Sequence, residues 1–525
     1  MSQSQIPPPN PLVVHARVQP EKPAVIDDRP GGTATVWTFA ELNRQVNRLA
    51  RVLRDLGIRP GDKLVVCGQN SPAVVRAMHA RAKVGATLVP LNYRFTPEEA
   101  AYVVDNSDAT IVYADAEHAG LFERVRSDIP KVRHVVIFDG PPRSDQLDGD
   151  RMLATASDAE PPAEDYSAHP VSMLYTSGTT GRPKGAVRQA TDPAALMALL
   201  QHVGHVPDDV YISTGPLYHS GPGGYLGVAH FLSNTAVLQR RFDPEDWLRL
   251  VATYRVSMTF AAPTPIRMVL NLPAAVKARY DRSSMRRMIA NAAPWPFALK
   301  EAYLQDFPED SLWEVYGSTE LGVDTVLAPQ DQRRKPGSCG KPAPGVEIKL
   351  FDENDREVTE PYHPGELYLR SAQNFQTYYK AQDKFDSGRR GDFLTVGDIA
   401  YRDEEGYYFI CDRKNDMIIS GGMNVYPAEI EAVLERHPRI VMAAAFGIPS
   451  EQWGESVHAV VVPRPAGAPP LSAADVIAFA HEHLAGYKVP RSVTFADELP
   501  HTGSGKILRR VLREPFWQGH RTRVS

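Results

Sequence analysis

From Thr38 to Tyr113 the chain alternates helix signals with short apolar runs, and this alternation confines it to folds built on a mostly parallel sheet. Thr38-Phe39-Ala40-Glu41 has the form of a capping box, after which Leu42, Val46, Leu49 and Leu53 recur at helical spacing up to Gly57. Leu64-Val65-Val66-Cys67 is a short apolar run of the kind a buried parallel strand needs. The spacing then predicts a helix from Pro72 to about Val84 and a strand at Thr87-Leu88-Val89. A second capping box follows at Thr96-Pro97-Glu98-Glu99, then a strand at Ile111-Val112-Tyr113.

The stretch from Pro141 to Pro170 has little periodicity and reads as a surface connection between two such subdomains. The C-terminal part reads differently. A helix opens at Pro427-Ala428-Glu429-Ile430, apolar runs follow at Val441 to Ala445 and Val457 to Val462, and Ser472-Ala473-Ala474-Asp475 caps another helix. Val493 to Phe495 and a short helix after Lys506 complete a small α+β unit. The charged segment Cys411 to Asp416 is taken as the boundary, dividing the chain into residues 1–414 and 415–525. The expected fold class is α/β: a large N-terminal body of stacked α/β subdomains and a small α+β C-terminal domain.

Charge and composition narrow the function. A net charge of −5 gives no reason to expect nucleic acid as a partner. The three cysteines, Cys67, Cys339 and Cys411, are odd in number and far apart, which argues against a disulfide framework or a zinc knuckle and suits a reducing cytoplasm. No apolar run approaches the roughly 18 residues of a transmembrane segment, and Met1 to Pro9 lacks the basic and apolar regions of an export signal. A cytoplasmic location is therefore expected, with the assembly left open up to a homodimer.

The stretch Tyr175-Thr176-Ser177-Gly178-Thr179-Thr180-Gly181-Arg182-Pro183-Lys184-Gly185 carries the strongest chemical signal. Its glycines let backbone approach an anion, while the hydroxyls and Lys184 supply donors, as a polyphosphate requires. A generic glycine-rich loop is more often a surface turn, but here glycines, hydroxyls and a lysine converge. It is not a Walker A loop, because Gly185 follows Lys184 and Pro183 blocks the usual passage into a helix.

This stretch resembles the signature phosphate loop of the adenylate-forming superfamily, which includes acyl-CoA synthetases, peptide-synthetase adenylation domains and beetle luciferases. Tyr316-Gly317-Ser318-Thr319-Glu320 resembles the second hallmark, in which the aromatic ring stacks on adenine, the threonine meets the α-phosphate and the glutamate holds Mg²⁺. Pro216-Leu217-Tyr218-His219 is similar to the segment bordering the acyl pocket, and Asn291-Ala292-Ala293-Pro294 to the one presenting backbone to adenine and acyl group. Thr395-Val396-Gly397-Asp398 matches the segment whose aspartate binds ribose, and Arg413 the arginine that also reaches it. Leu499 to Ile507 resembles the loop bearing the catalytic lysine, here Lys506, and Ser420-Gly421-Gly422 the segment lining the pantetheine tunnel. The resemblance runs from about Thr38 to about Arg510. It implies a small domain that rotates on a hinge at Asn415, where the family more often has Asp or Lys.

The implied chemistry activates a carboxylic acid with ATP as an acyl-adenylate and then transfers the acyl group to coenzyme A. Catalytic positions are implied at Lys506, Thr176, Glu320 and His219. A carboxylate is already ionised near neutral pH, so no general base is needed. By resemblance the acyl pocket is walled by His219, Gly223, Gly224, Tyr225, Leu226, the Pro263-Thr264 region, Leu321, Gly322 and Val323. These are mostly small or apolar, so fatty, alicyclic and aryl acids stay open and amino acids are disfavoured. Asp324 reads as a helix-surface or capping residue. Three alternatives remain: another acceptor such as a carrier protein or amine, a nucleotide sensor without chemistry, and a P-loop ATPase or kinase that would release ADP.

Overall fold

The computed structural model describes residues 10–518, apart from 165, 167, 177–181, 415, 421–422, 465–469 and 502–506. The alternation read from the sequence becomes an eight-stranded sheet, in which Lys63–Cys67 runs parallel to both Thr87–Pro90 and Ala109–Asp115. The helix Phe39–Asp55 buries Leu42, Val46, Leu49 and Leu53 in a core shared with Ala73, Ala77 and Ala80 of the helix Pro72–Val84. Each such leucine contributes about 1.5–3 kcal/mol by leaving water. The capping box at Thr96 is complete, with Glu99 returning a bond to the Thr96 amide at 2.8 Å. At Thr38 only half of it forms, since Glu41 turns to Gln45 and Arg44 instead.

A second, nine-stranded sheet contains a parallel run of Val210–Ser213, Met258–Ala261, Arg287–Ala290 and Leu312–Ser318. A third sheet, of six strands between Glu347 and Arg413, is antiparallel and carries a single helix, Gln382–Ser387, among the described residues. The C-terminal unit is built on a hairpin of Ile440–Ser450 and Gly454–Pro463. The strand Ser492–Phe495 adds to that hairpin in parallel, and the core of the unit holds Ile430, Leu434 and Val476. The expected fold class holds.

The stretch 141–170 is more ordered than its composition suggests. It contains the strand Leu147–Asp148 and the helix Gly149–Thr155, capped by Asp148, which accepts from the Arg151 amide at 2.9 Å. The helix is short and buries only Gly149 and Leu153, so it shows no full helical period in the sequence. Beyond it Asp158, Glu160 and Glu164 pair with Arg48, Lys83 and Arg54 on the first two helices of the core.

The body meets the C-terminal unit through a charged junction. Asp412, on the strand Tyr408–Arg413, accepts from the Ala428 amide at 3.0 Å, in the first turn of the helix Pro427–Leu434. Arg509 of the last helix pairs with Glu431 and lies 3.9 Å from Asp412 and 3.8 Å from Asp416. Arg267 of the body helix Pro263–Leu270 donates to the Val441 carbonyl and lies 3.3 Å from Glu435. The hinge expected at Asn415 falls outside the described residues.

Burial pushes the Asp412 carboxyl up to about 6, with Glu431 adding to the rise and Arg509 opposing it. An unfolded aspartate titrates near 3.9, so between about pH 4 and 6 the folded chain binds more protons than the unfolded one, and stability falls as pH rises through that window. Relative to Asp412→Asn, the wild type should lose about 2–3 kcal/mol of unfolding free energy between pH 4 and pH 7. Denaturant melts of both proteins at a series of pH values measure this, and parallel pH profiles would rule it out.

Candidate active site

The parallel strands of the nine-stranded sheet end along one edge, and each hands its chain to a segment singled out in the sequence, in the crevice where such sheets bind ligands. Asn291 to Pro294 follow Arg287–Ala290, while Tyr316 to Glu320 finish and follow Leu312–Ser318. The Asn291 carboxamide donates to the Val315 carbonyl and receives the Ala292 amide. Ala292 is held at φ 70°, a left-handed conformation that costs an alanine about 1–2 kcal/mol. Backbone strain thus sits where the sequence pattern asks backbone to face a ligand. His219 precedes the helix Ser220–Phe231, its ring 4.4 Å from that of Tyr218.

The phosphate-loop sequence connects two antiparallel strands, Ser172–Thr176 and Lys184–Arg188, with Thr176 directly opposite Lys184. A Walker A loop passes from a strand into a helix, so the hairpin separates this chain from P-loop folds. Ser177, Gly178, Thr179, Thr180 and Gly181 lie outside the described residues. Lys184 is half-buried, and burial, with Lys384 adding to it, lowers its pKa.

Glu320 joins the two large sheets. Its Oε1 accepts from Thr176 Oγ1 at 2.9 Å and from the Tyr378 hydroxyl at 3.0 Å, and its carbonyl accepts from the Phe375 amide at 2.7 Å. Thr319 is 2.9 Å from the Ser220 hydroxyl, and its carbonyl accepts from Arg188, whose other arm donates to Gln373 at 2.7 Å. Ser318 caps the turn by accepting from the Leu321 amide at 3.0 Å. Gly317 has no room for a side chain: a Cβ there would lie 2.0 Å from the Gly322 carbonyl oxygen.

The third sheet supplies Asp398 and Arg413, which face each other on adjacent antiparallel strands with Nε 3.4 Å from Oδ1. The Tyr316 hydroxyl donates to the other Asp398 oxygen. Burial, reinforced by Asp398, raises the Tyr316 phenol well above its ordinary value. Burial works against the Arg413 charge, but Asp398, Asp416 and Glu320 outweigh it and raise its pKa.

The structure therefore gathers Thr176, Lys184, Asn291 to Pro294, Tyr316 to Glu320, Asp398 and Arg413 around one crevice. Lys506, Gly421 and Gly422 lie outside the described residues, although His501 and Ile507, on either side of the Lys506 loop, form an antiparallel bridge. Tyr378, Arg188, Gln373 and Ser220 had escaped the sequence reading. Tyr378 lies on the two-residue strand Thr377–Tyr378, too short to show a period, and it reaches the site only because that strand pairs with Lys184–Arg188.

Asp324 overturns its expected role. It lies on the strand Gly322–Leu327, not on a helix, and is fully buried, with neither carboxyl oxygen hydrogen-bonded among the described residues. Burial, helped by Asp398 and opposed by Arg188, pushes it well above the usual carboxylate range.

A hard cation here would rest on Glu320. Among the described residues no group of three or more His, Cys, Asp or Glu could hold a metal. One carboxylate beside hydroxyls suits Mg²⁺ that arrives with substrate phosphates, not a resident cage. No helix of the described residues is long and apolar enough to cross a membrane.

The family model described as AMP-binding enzyme matches residues 12–379, and that described as AMP-binding enzyme C-terminal domain matches residues 429–506. The chain is 34% identical to a feruloyl-CoA synthase of Amycolatopsis sp., covering 96% of this chain and 98% of that one. It is 33% identical to the fatty acid–[acyl-carrier-protein] ligase ScoC of Streptomyces coeruleorubidus, over 97% and 96% of the two. A solved anthranilate CoA ligase, AuaEII, in complex with anthranoyl-AMP superposes with a TM-score of 0.86 at 26% identity, over 98% of this chain and 99% of that one.

Asp398→Ala removes the acceptor shared by Tyr316 and Arg413. Bonds to a charged group contribute about 1.5–3 kcal/mol, so KM for ATP should rise about tenfold or more with the fold intact. Steady-state kinetics beside a thermal melt measure this, and an unchanged KM in a folded variant would misplace the ribose contact.

Proposed function

The chain belongs to the AMP-binding enzyme family, and from that premise we propose that it is an ATP-dependent acid–thiol ligase. It activates a fatty, alicyclic or aryl acid as acyl-AMP, releases pyrophosphate and transfers the acyl group to coenzyme A. The observation that carries this reading is the convergence of side chains from three sheets on Glu320 and Tyr316. A transfer between two anions needs positive charge and fixed orientation more than it needs a base.

Tyr316 presents a flat face to adenine, with its hydroxyl fixed by Asp398. Asp398 accepts from the ribose hydroxyls, and Arg413 keeps it ionised and oriented. Thr176, Thr319 and Lys184 donate to phosphate oxygens, together with Ser177, Gly178, Thr179, Thr180 and Gly181 of the same loop. Glu320 would hold Mg²⁺, which when bound would neutralise the triphosphate. Asn291 to Pro294 and His219 border the bound acid. Lys506 bridges the attacking carboxylate and the α-phosphate. Residues 1–414 form the body and 415–525 the domain that then turns on Asn415, bringing Gly421 and Gly422 toward the thiol. The three free cysteines suit a cytoplasmic enzyme.

A second reading replaces coenzyme A with the pantetheine of a carrier protein. The likeness to a ligase whose name gives that acceptor favours it. Offering both acceptors to one enzyme–adenylate preparation separates the two.

The products should be AMP and pyrophosphate, and stoichiometric ADP would end the proposal. Lys506→Ala should lose about 10²–10³ or more of the rate of acyl-adenylate formation. It should still convert chemically supplied acyl-adenylate and coenzyme A to the thioester at close to the wild-type rate. Single-turnover assays of the two halves measure this, and equal impairment of both would show that the lysine does not leave between them.

A further inference from the structure

The charged junction described above is asymmetric about the expected hinge. Asp412 precedes residue 415, whereas Asp416, Ala428, Glu431 and Arg509 all follow it. Any rotation at residue 415 carries those four together and leaves Asp412 behind with the strand Tyr408–Arg413. Arg509 and Glu431 are joined by two guanidinium–carboxylate bonds, the Nε one at 2.9 Å, so they tie the last helix to the helix Pro427–Leu434 within the small unit. Asp412 reaches across with a 3.0 Å bond to the Ala428 amide and a 3.9 Å approach to Arg509. Its side chain is only 4% exposed, so water is kept from competing for these contacts. Arg509 also stands three residues after Lys506 in the chain.

We propose that Asp412 and Arg509 form a latch that fastens the small unit to the body in the orientation seen here, and that Arg509 thereby positions the segment carrying Lys506. Arg509 is a positioning residue, acting through Asp412 and Glu431. The latch works across the junction through Asp412 and inside the small unit through Glu431, so the two ends can be cut separately. Asp412→Asn removes the charge that faces Arg509 across the junction and leaves the Arg509–Glu431 pair intact. Arg509→Gln cuts both. This inference rests on the ligase reading and on rotation at residue 415.

The test uses the full chain with ATP and an acid that the wild type accepts. Pyrophosphate release in a single turnover reports adenylate formation, and supplied acyl-adenylate with coenzyme A reports the second half. Asp412→Asn and Arg509→Gln should each slow the first half about tenfold or more, the worth of one charge-assisted hydrogen bond. KM for ATP should change less than the rate of the first half, because the carboxamide of Asp412→Asn can still accept from the Arg413 amide and Asp398 keeps its own partners. The second half should run at the wild-type rate or faster, and Arg509→Lys should recover part of the first. Amide exchange at Ala428 should also speed up in Asp412→Ala, which removes the acceptor of that amide, a readout independent of activity. If Arg509→Gln fails to fold, Asp412→Asn decides alone. Wild-type adenylate formation in a folded Asp412→Asn, or equal slowing of both halves, overturns the latch. A wild type that forms no adenylate from any acid overturns the ligase reading, and the latch with it.

Discussion

The Glu320 carboxylate is where two large sheets, which already share a hydrophobic core, are made to share one site. Thr176 comes from the hairpin of the first sheet, Tyr378 from the strand added to that hairpin, and Glu320 from the turn that ends a parallel strand of the second. The same logic brings in the third sheet, because Tyr316 is fixed by an aspartate that an arginine on the neighbouring strand balances. Placing functional groups on strand ends and binding them to one another gives a stiffer array than placing them on separate loops.

Local signals were legible in the sequence where a few neighbouring residues decide the structure. The boxes at Thr96 and Ser472 close within one helical turn, and both form. The two hallmark segments were legible because chemistry crowds unusual residues into a short span. What escaped depends on partners distant in the chain. Tyr378 and Arg188 look ordinary until the hairpin and the 320 turn are brought together. The helix Gly149–Thr155 escaped because it is too short to show a period.

Asp324 was misread for a different reason. Asp324 reads from sequence as a helix-surface or capping residue, but the pairing slips between Tyr316 and Gly317, so that Tyr316 faces Thr325 while Gly317 faces Val323. Asp324 is the extra residue of that β-bulge, a device that re-aims side chains near functional sites. The narrow passage at Gly317 and the buried acid are two results of the same irregularity. An acid kept there with no hydrogen bond among the described residues costs stability, so this corner of the fold is not optimised for stability alone.

The hairpin that carries the phosphate loop has an evolutionary consequence. Thr176 and Lys184 are matched across the ladder, so the register of the two strands fixes both ends of the loop between them. A single-residue insertion inside either strand would turn every following side chain to the opposite face. Inside the strand Lys184–Arg188 it would shift the pairing of Ala186 with Tyr378 and so disturb the edge strand as well. Lineages descending from this sequence can therefore accept substitutions in the two strands more readily than insertions.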